Sequence, residues 1–271
     1  MNDIFETSMK TPTFVFVDGS YFNFYRYYAL IQWWKNARTN EPLEDPYLVE
    51  EFVEKFKKTH VDNLQQIPKK LKLDNPIIIV GKDCKREDIW RMKHFPNYKG
   101  TRDNKDFKGG PFFKMVYEED LFLKGGAKAI LKHPYLEADD CIALSIKYLL
   151  KKYGELCEIY VITSDRDYLQ LIETNVHLYD LHYKNISGTG NSDNDLEIKI
   201  IMGDSSDNIP SVFPKCGPKT ALKCIANPEF FQKKMSEDPK YAAQYELNQL
   251  LVNFENIPIE LQEEFYSTIK K

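Results

Sequence analysis

The run Thr13-Phe14-Val15-Phe16-Val17 ends on a carboxylate, Asp18. It is β-branched or aromatic after its first residue and shows no polar alternation, as expected of a strand covered on both faces in a parallel sheet. Two further runs repeat the design. Pro76–Val80 (PIIIV) precedes Asp83, and Ile159–Thr163 (IYVIT) precedes Asp165. Helical patterns at Leu48–Thr59 and, more strongly, Ala138–Tyr153 lie between them. Strand alternating with helix implies an α/β fold with right-handed crossovers. Acids at the carboxyl ends of such strands stand where open α/β sheets place their ligands.

Length and composition set the bounds. The 271 residues are 42% apolar and 29% charged, enough for one large domain or two unequal ones with a real core. The N-terminal MNDIFETSMKTPTF lacks a basic flank before an apolar run, so no signal peptide is expected, and no apolar stretch approaches membrane-spanning length. The five cysteines (Cys84, Cys141, Cys157, Cys216, Cys224) have no zinc spacing and suit a reducing compartment. An intracellular, cytoplasmic protein is expected.

Beyond the three strands, Lys82–Lys108 holds nine Lys or Arg residues interleaved with Trp90, Phe95, Tyr98 and Phe107. Gly109-Gly110 and Gly125-Gly126 bracket Phe112–Lys124, which reads as a mobile element. Val176–Leu181 is strand-like, and the polar Ser187–Asp195 follows it as the best boundary. Residues 1–186 then form an α/β domain and 187–271 a small helical one with proline-marked turns.

Three acidic groups carry the chemistry. Glu137, Asp139 and Asp140 open the strongest helix. Capping needs one or two acids, whereas three in four residues repel one another unless a cation is near. Asp165 and Asp167 follow a buried strand, and Asp204 and Asp207 lie among Gly203, Ser205 and Ser206, which permit close approach. Hard carboxylate oxygens in such numbers suit Mg²⁺. After them, Cys216-Gly217-Pro218-Lys219-Thr220-Ala221 reads as a helix-hairpin-helix, whose free N–H groups and helix dipole favour a phosphate. Arg91, Lys93, Lys99 and Arg102 could steer phosphate, with Tyr98 stacking on a base; a solvated basic loop is the plainer alternative. The net charge is −4, but with Asp18, Asp83 and these seven acids set aside, 32 acidic face 37 basic residues. A DNA track is therefore compatible with the charge. His60, His94, His133, His177 and His182 have no partner at motif spacing and read as structural.

Taken together, these residues resemble the 5′ nuclease superfamily: flap endonucleases, phage 5′–3′ exonucleases and the 5′-nuclease domain of bacterial DNA polymerase I. Tyr98-Lys99-Gly100-Thr101-Arg102, Glu137-Ala138-Asp139-Asp140, Thr163–Asp167 and Gly203–Pro210 carry the likeness in order and spacing. The resemblance implies a PIN-like α/β fold, a mixed, mostly parallel sheet flanked by helices, plus a C-terminal helix-hairpin-helix (H3TH) domain. It implies two Mg²⁺, replaceable by Mn²⁺: Asp18, Asp83, Glu137, Asp139 and Asp140 around the first, Asp165, Asp167, Asp204 and Asp207 around the second. Lys99 and Arg102 would contact the scissile phosphate at the base of an arch spanning about 103–128. Tyr98 would stack on terminal nucleotides, and Arg26, Arg91, Lys215, Gly217, Lys219 and Thr220 would touch DNA.

One departure concerns the hairpin. Lys215 stands where the family's first glycine is expected, and a Cβ disfavours a left-handed backbone there. The hairpin's K⁺ site is in question for that reason, with Lys215 free to meet phosphate instead. Gln262–Tyr266 lacks the aliphatic position of a sliding-clamp peptide. The expectation is a monomeric, stand-alone 5′ nuclease acting on branched or 5′-ended DNA, including flap, nicked and RNA-primed duplexes. An RNase H-like primer remover would use the same residues. A catalytically inactive DNA-structure-binding protein is a rival that should have shed acids, and a toxin-type RNase would have no need of the hairpin.

Overall fold

The computed structural model describes residues 3–102 and 106–270. Five strands form one sheet in the order β3-β2-β1-β4-β5. They are β1 (Thr13–Asp18), β2 (Ile77–Gly81), β3 (Ala129–Leu131), β4 (Glu158–Ile162) and β5 (Val176–Tyr179). Every pairing is parallel, so the expected mixed sheet is wholly parallel among the described residues. Complete burial of Phe14, Val15, Phe16 and Val17 explains why β1 has no polar face. The chain passes from β1 out to β2 and β3, then crosses to β4 on the other side of β1. The switch point of the sheet therefore lies between the ends of β1 and β4.

Helices cover both faces. On one, α1 (Gly19–Ala37) and α2 (Glu50–Leu71) bury Phe22, Tyr27, Phe52 and Phe56 against Val15, Val17 and Val80. On the other, α5 (Ala138–Tyr153) buries Ile142, Leu144, Ile146 and Leu149 against Phe14, Phe16 and Ile159. The sequence places α5 to the residue but ends α2 early. That helix continues past Thr59 because Leu64 and Ile67 extend its buried stripe.

The stretch Phe112–Lys124, within the arch expected at about 103–128, reads from sequence as a mobile element but is packed into the core. Residues 103–105 lie outside the described residues. From 110 onward the chain forms α3 (Gly110–Glu118) and α4 (Leu121–Lys124). Phe112, Met115, Val116, Leu121 and Phe122 are buried in the same core as Phe52 and Phe56. Apolar residues at three- and four-residue spacing need a partner face, and α2 supplies it.

The C-terminal part contains α6 (Ser192–Met202), α7 (Pro218–Ala226), α8 (Pro228–Met235), α9 (Pro239–Val252) and α10 (Ile259–Ile269). Ile201, Val212, Phe213, Ala221 and Cys224 give this lobe its own small core. The division at 186/187 gives way at the far end, however. Phe254, Ile257, Phe265 and Ile269 pack with α5 in the sheet's core, and Ile4 N–H donates to the Ile269 carbonyl at 3.0 Å. No described helix is long and apolar enough to cross a membrane.

Candidate active site

A cleft of about 1150 Å³ opens at the carboxyl ends of the strands and is bordered by the α6–α7 lobe. Asp18, Asp83, Glu137, Asp139, Asp165 and Asp204 line it together with Lys99 and Arg102. Its geometry follows from the sheet. Register pairs Asp18 with Gly81, two residues before Asp83, so two strand ends deliver two acids side by side. Gly81 allows a third element to close on them. A Cβ there would stand 2.9 Å from the Ala138 carbonyl and 2.8 Å from Ile142, displacing the start of α5. Asp83 is then fixed by the Ala138 N–H at 2.8 Å and by Ser20 Oγ at 2.5 Å. Asp18 accepts the Tyr21 N–H at 3.0 Å, and Asp165 accepts that of Asp167 at 2.9 Å.

Asp204 reaches the same cleft from the C-terminal lobe, with Asp207 buried beside it in one cluster with Asp167. Asp204 and Ile209 exchange backbone bonds of 2.9 and 2.7 Å, which closes the 204–209 loop. Gly203 permits the closure, since its φ is +66° and a Cβ would meet the Ile209 and Pro210 carbonyls at 2.4 Å.

The charges are poorly neutralised by the protein alone. Burial, then the neighbouring Asp83, pushes Asp18 up to about 7. Burial, then Asp165, does the same to Asp167, also to about 7. Burial likewise raises Glu137 and Asp139, although Lys99 and Arg91 pull the other way. Two triads have ligand oxygens within 4.8 Å of one another: Glu137, Asp139 and Asp140, and Asp167, Asp204 and Asp207. Crowded carboxylates whose ionisation is opposed by burial and by each other fit hard divalent cations.

Several bases already lean on these acids. Lys99 pairs with Glu137 and stands 3.9 Å from Asp207 Oδ2, while Arg102 Nη2 donates to Asp207 Oδ1 at 2.5 Å. Lys199, which the sequence reading passed over, pairs with both Asp167 and Asp204. Against burial, it holds Asp204 down to about 2. Its place in the last turn of α6, just ahead of the loop that carries Asp204, is the local signal.

The one further acid on the cleft wall among the described residues is Asp195. Residues 13–196 match the 5′-3′ exonuclease, N-terminal resolvase-like domain. The 5′-3′ exonuclease of Buchnera aphidicola (subsp. Schizaphis graminum) is 32% identical over 225 residues, 79% of this chain and 69% of that one. The chain belongs to the 5′–3′ exonuclease family. The flap endonuclease of Escherichia phage T5 is 27% identical over 175 residues, 58% of this chain and 57% of that protein. The phage T5 5′-exonuclease with divalent zinc ions shares the fold, with a TM-score of 0.63 at 19% identity over 95% of this chain and 98% of that one. A T5 flap endonuclease complex with DNA and metal ions aligns with a TM-score of 0.62 at 18% identity, covering 95% and 97%. The cleft is that of a 5′ nuclease.

Two roles expected from the sequence of this 5′ nuclease need correction. Tyr98 does not offer its ring to a nucleotide. It is 3% exposed, and its hydroxyl lies 3.1 Å from Glu137 Oε2 and 3.0 Å from Asp207 Oδ2. Arg91 does not face DNA either. It is 2% exposed, forks onto Asp140 at 2.7 and 2.8 Å, reaches Glu137 at 3.2 Å and donates from Nε to the Leu251 carbonyl at 2.7 Å. The interleaved aromatic and basic pattern is the same for a buried ion pair as for a nucleic-acid surface, and only burial tells them apart.

Asp140 stands behind the cleft wall. Its Oδ2 accepts from Arg91, from Trp90 Nε1 at 3.0 Å and from the Glu137 N–H at 3.1 Å. It therefore shares its triad with Glu137 and Asp139 while spending most of its acceptors on protein donors. Arg26 is half-buried, stacked 4.7 Å from the Tyr25 ring centroid and outside the cleft wall.

The hairpin region is well formed. Lys215 has φ = 56°, so the left-handed turn survives without its glycine. Gly217 then leads into α7 with Pro218 in its first turn and no side-chain cap, and Lys215 and Lys219 are exposed. A helix N-terminus with uncapped N–H groups, flanked by two lysines, borders the cleft through Cys216, Pro218 and Leu222.

Proposed function

We propose that this 5′ nuclease hydrolyses branched or 5′-ended DNA (flap, nicked and RNA-primed duplexes) using two Mg²⁺ ions, with Mn²⁺ able to replace them. The observation that carries the reading is the convergence of acids from five separate chain segments on one cleft that also holds Lys99 and Arg102. Asp18, Asp83, Glu137 and Asp139, with Asp140 behind them, would hold one ion. Asp165, Asp167, Asp204 and Asp207 would hold the other. Bound there, the ions would supply the charge that lowers the pKa of an attacking water and steadies the departing oxygen.

The chain's own groups do the rest. Lys99 and Arg102 sit on the wall facing these acids, so exchanging their carboxylate partners for a phosphate brings two positive charges onto the scissile group. The Gly217–Thr220 helix start and Lys215 offer N–H groups and charge to a phosphate of the duplex, which would set the distance from duplex to cut. Hydrolysis in line would leave a 5′-phosphate.

The test is product-length mapping on a labelled 5′-flap duplex with free and blocked 5′ ends, with Mg²⁺, Mn²⁺ or chelator. Cleavage near the branch, lost in chelator and in Asp139→Asn while DNA binding in Ca²⁺ persists, is the expected result. Failure to cut flap, nicked and RNA-primed substrates with either ion would sink the proposal.

A further inference from the structure

The turn bearing Lys99 and Arg102 has a backbone that needs outside support. Lys99 has φ = 55°, in the left-handed region. That conformation is disfavoured for a residue with a Cβ, and it persists where the surroundings over-determine it. On one side the C-terminal lobe holds it. The Lys99 N–H donates to the Asp207 carbonyl at 2.8 Å, and Asn208 Nδ2 donates to the Asn97 carbonyl at 2.8 Å. On the other side stands Arg86. Its Nη1 donates to the Arg102 carbonyl at 3.2 Å, and its Nη2 donates to the Lys99 carbonyl. The Arg102 N–H closes the turn on that same Lys99 carbonyl at 3.1 Å.

Arg86 also connects two parts of the site. It opens the short 3₁₀ turn Arg86–Asp88, three residues after Asp83. Its guanidinium therefore ties the strand end that carries Asp83 to the turn that carries the two bases. A planar fork with donors at fixed separation can span two carbonyls of one turn, whereas an ammonium is a single point of charge.

We propose that Arg86 is a positioning residue for cleavage: by clasping the Lys99 and Arg102 carbonyls it fixes those two side chains against the Asp83 side of the cleft. This rests on the reading of Lys99 and Arg102 as the phosphate-binding pair. Arg86 is exposed, so the competing role is a phosphate contact of its own, and charge-conserving substitution separates the two.

The experiment compares Arg86→Lys and Arg86→Ala in single-turnover cleavage of a 5′-flap duplex at saturating enzyme, with DNA affinity measured in Ca²⁺. Both variants should cut about tenfold more slowly, because misplacing a reacting group by a fraction of an ångström is costly. Affinity and its salt dependence should stay near wild type, which also reports an intact fold. In a Lys99→Ala background the Arg86→Ala penalty should shrink, leaving the part that acts through Arg102. Wild-type rates for Arg86→Lys, a loss confined to affinity, or a full penalty persisting without Lys99 would each overturn the proposal. Wild-type cleavage by Lys99→Ala alone would instead sink the reading of the phosphate-binding pair on which it rests.

Discussion

Replacing Arg91 with Met tests whether this base serves the fold or the DNA. Its side chain is 3% exposed and its main partner, Asp140, is fully buried. Removing one member of such a pair strands the other charge, which costs about 3–5 kcal/mol. The Leu251 carbonyl loses its donor as well, worth about 1 kcal/mol. Asp140 keeps Trp90 Nε1 and the Glu137 N–H, which places the total toward the lower end, about 4 kcal/mol. For a chain of this size that lowers the melting temperature by about 10 °C. Chemical and thermal unfolding of Arg91→Met would measure it. Adding Asp140→Asn removes the stranded charge while keeping an acceptor for Trp90, so about half of the loss should return. Below the melting transition, DNA affinity in Ca²⁺ and its salt slope should match wild type. A loss under about 1 kcal/mol, or a salt slope reduced by about one unit, would refute the buried-pair account and restore Arg91 to the DNA surface.

Other perturbations follow from the same geometry. Tyr98→Phe removes only a hydroxyl, so a stacking ring would be unaffected; loss of the bond to Glu137 and Asp207 should instead lower stability by about 1 kcal/mol and slow cleavage. A variant equal to wild type in both would contradict the buried role. Because Asp18 and Asp167 rise from 3.8 to about 7 on folding, the native protein binds protons there that the unfolded chain does not. Metal-free protein should therefore lose stability as pH climbs from about 4 to about 7. Asp204, held low, acts in the opposite sense, and its contribution is lost only as pH falls below 4 toward 2. Denaturant midpoints at pH 5.5 and 7.5 in chelator should show the decline, and Mg²⁺ should stabilise more at the higher pH; a flat apo profile would count against the crowded-carboxylate picture. Lys215→Gly relieves a left-handed backbone but loosens the unfolded chain, so stability should change by less than about 1 kcal/mol. A larger destabilisation, read by the same unfolding assay, would mean that the Lys215 side chain holds the turn.

Local pattern was enough for much of the architecture. The unalternating run at Thr13–Val17 and its two counterparts foretold a parallel sheet, because a strand buried on both faces has no reason to alternate. The acids at the ends of those strands foretold the cleft, because a parallel sheet gathers its carboxyl ends on one side. Ala138–Tyr153 was legible to the residue, as its apolar stripe and opening acids are both local signals.

What chain order cannot carry is which way a side chain faces once distant elements meet. Tyr98 and Arg91 sit in a basic, aromatic stretch suited to DNA, yet the acids that claim them lie about 40 to 110 residues away. Phe112 to Phe122 reads as weakly helical until α2 supplies the face that buries it. Lys199 and Arg86 look like ordinary surface bases until folding sets one against Asp167 and Asp204 and the other beneath Lys99 and Arg102. Which chemical groups the cleft owns is written in local pattern, since strand ends and their acids are local facts. Which of those groups face substrate and which hold the others in place is settled by folding, because burial and ion pairing are set by contacts between segments far apart in the chain.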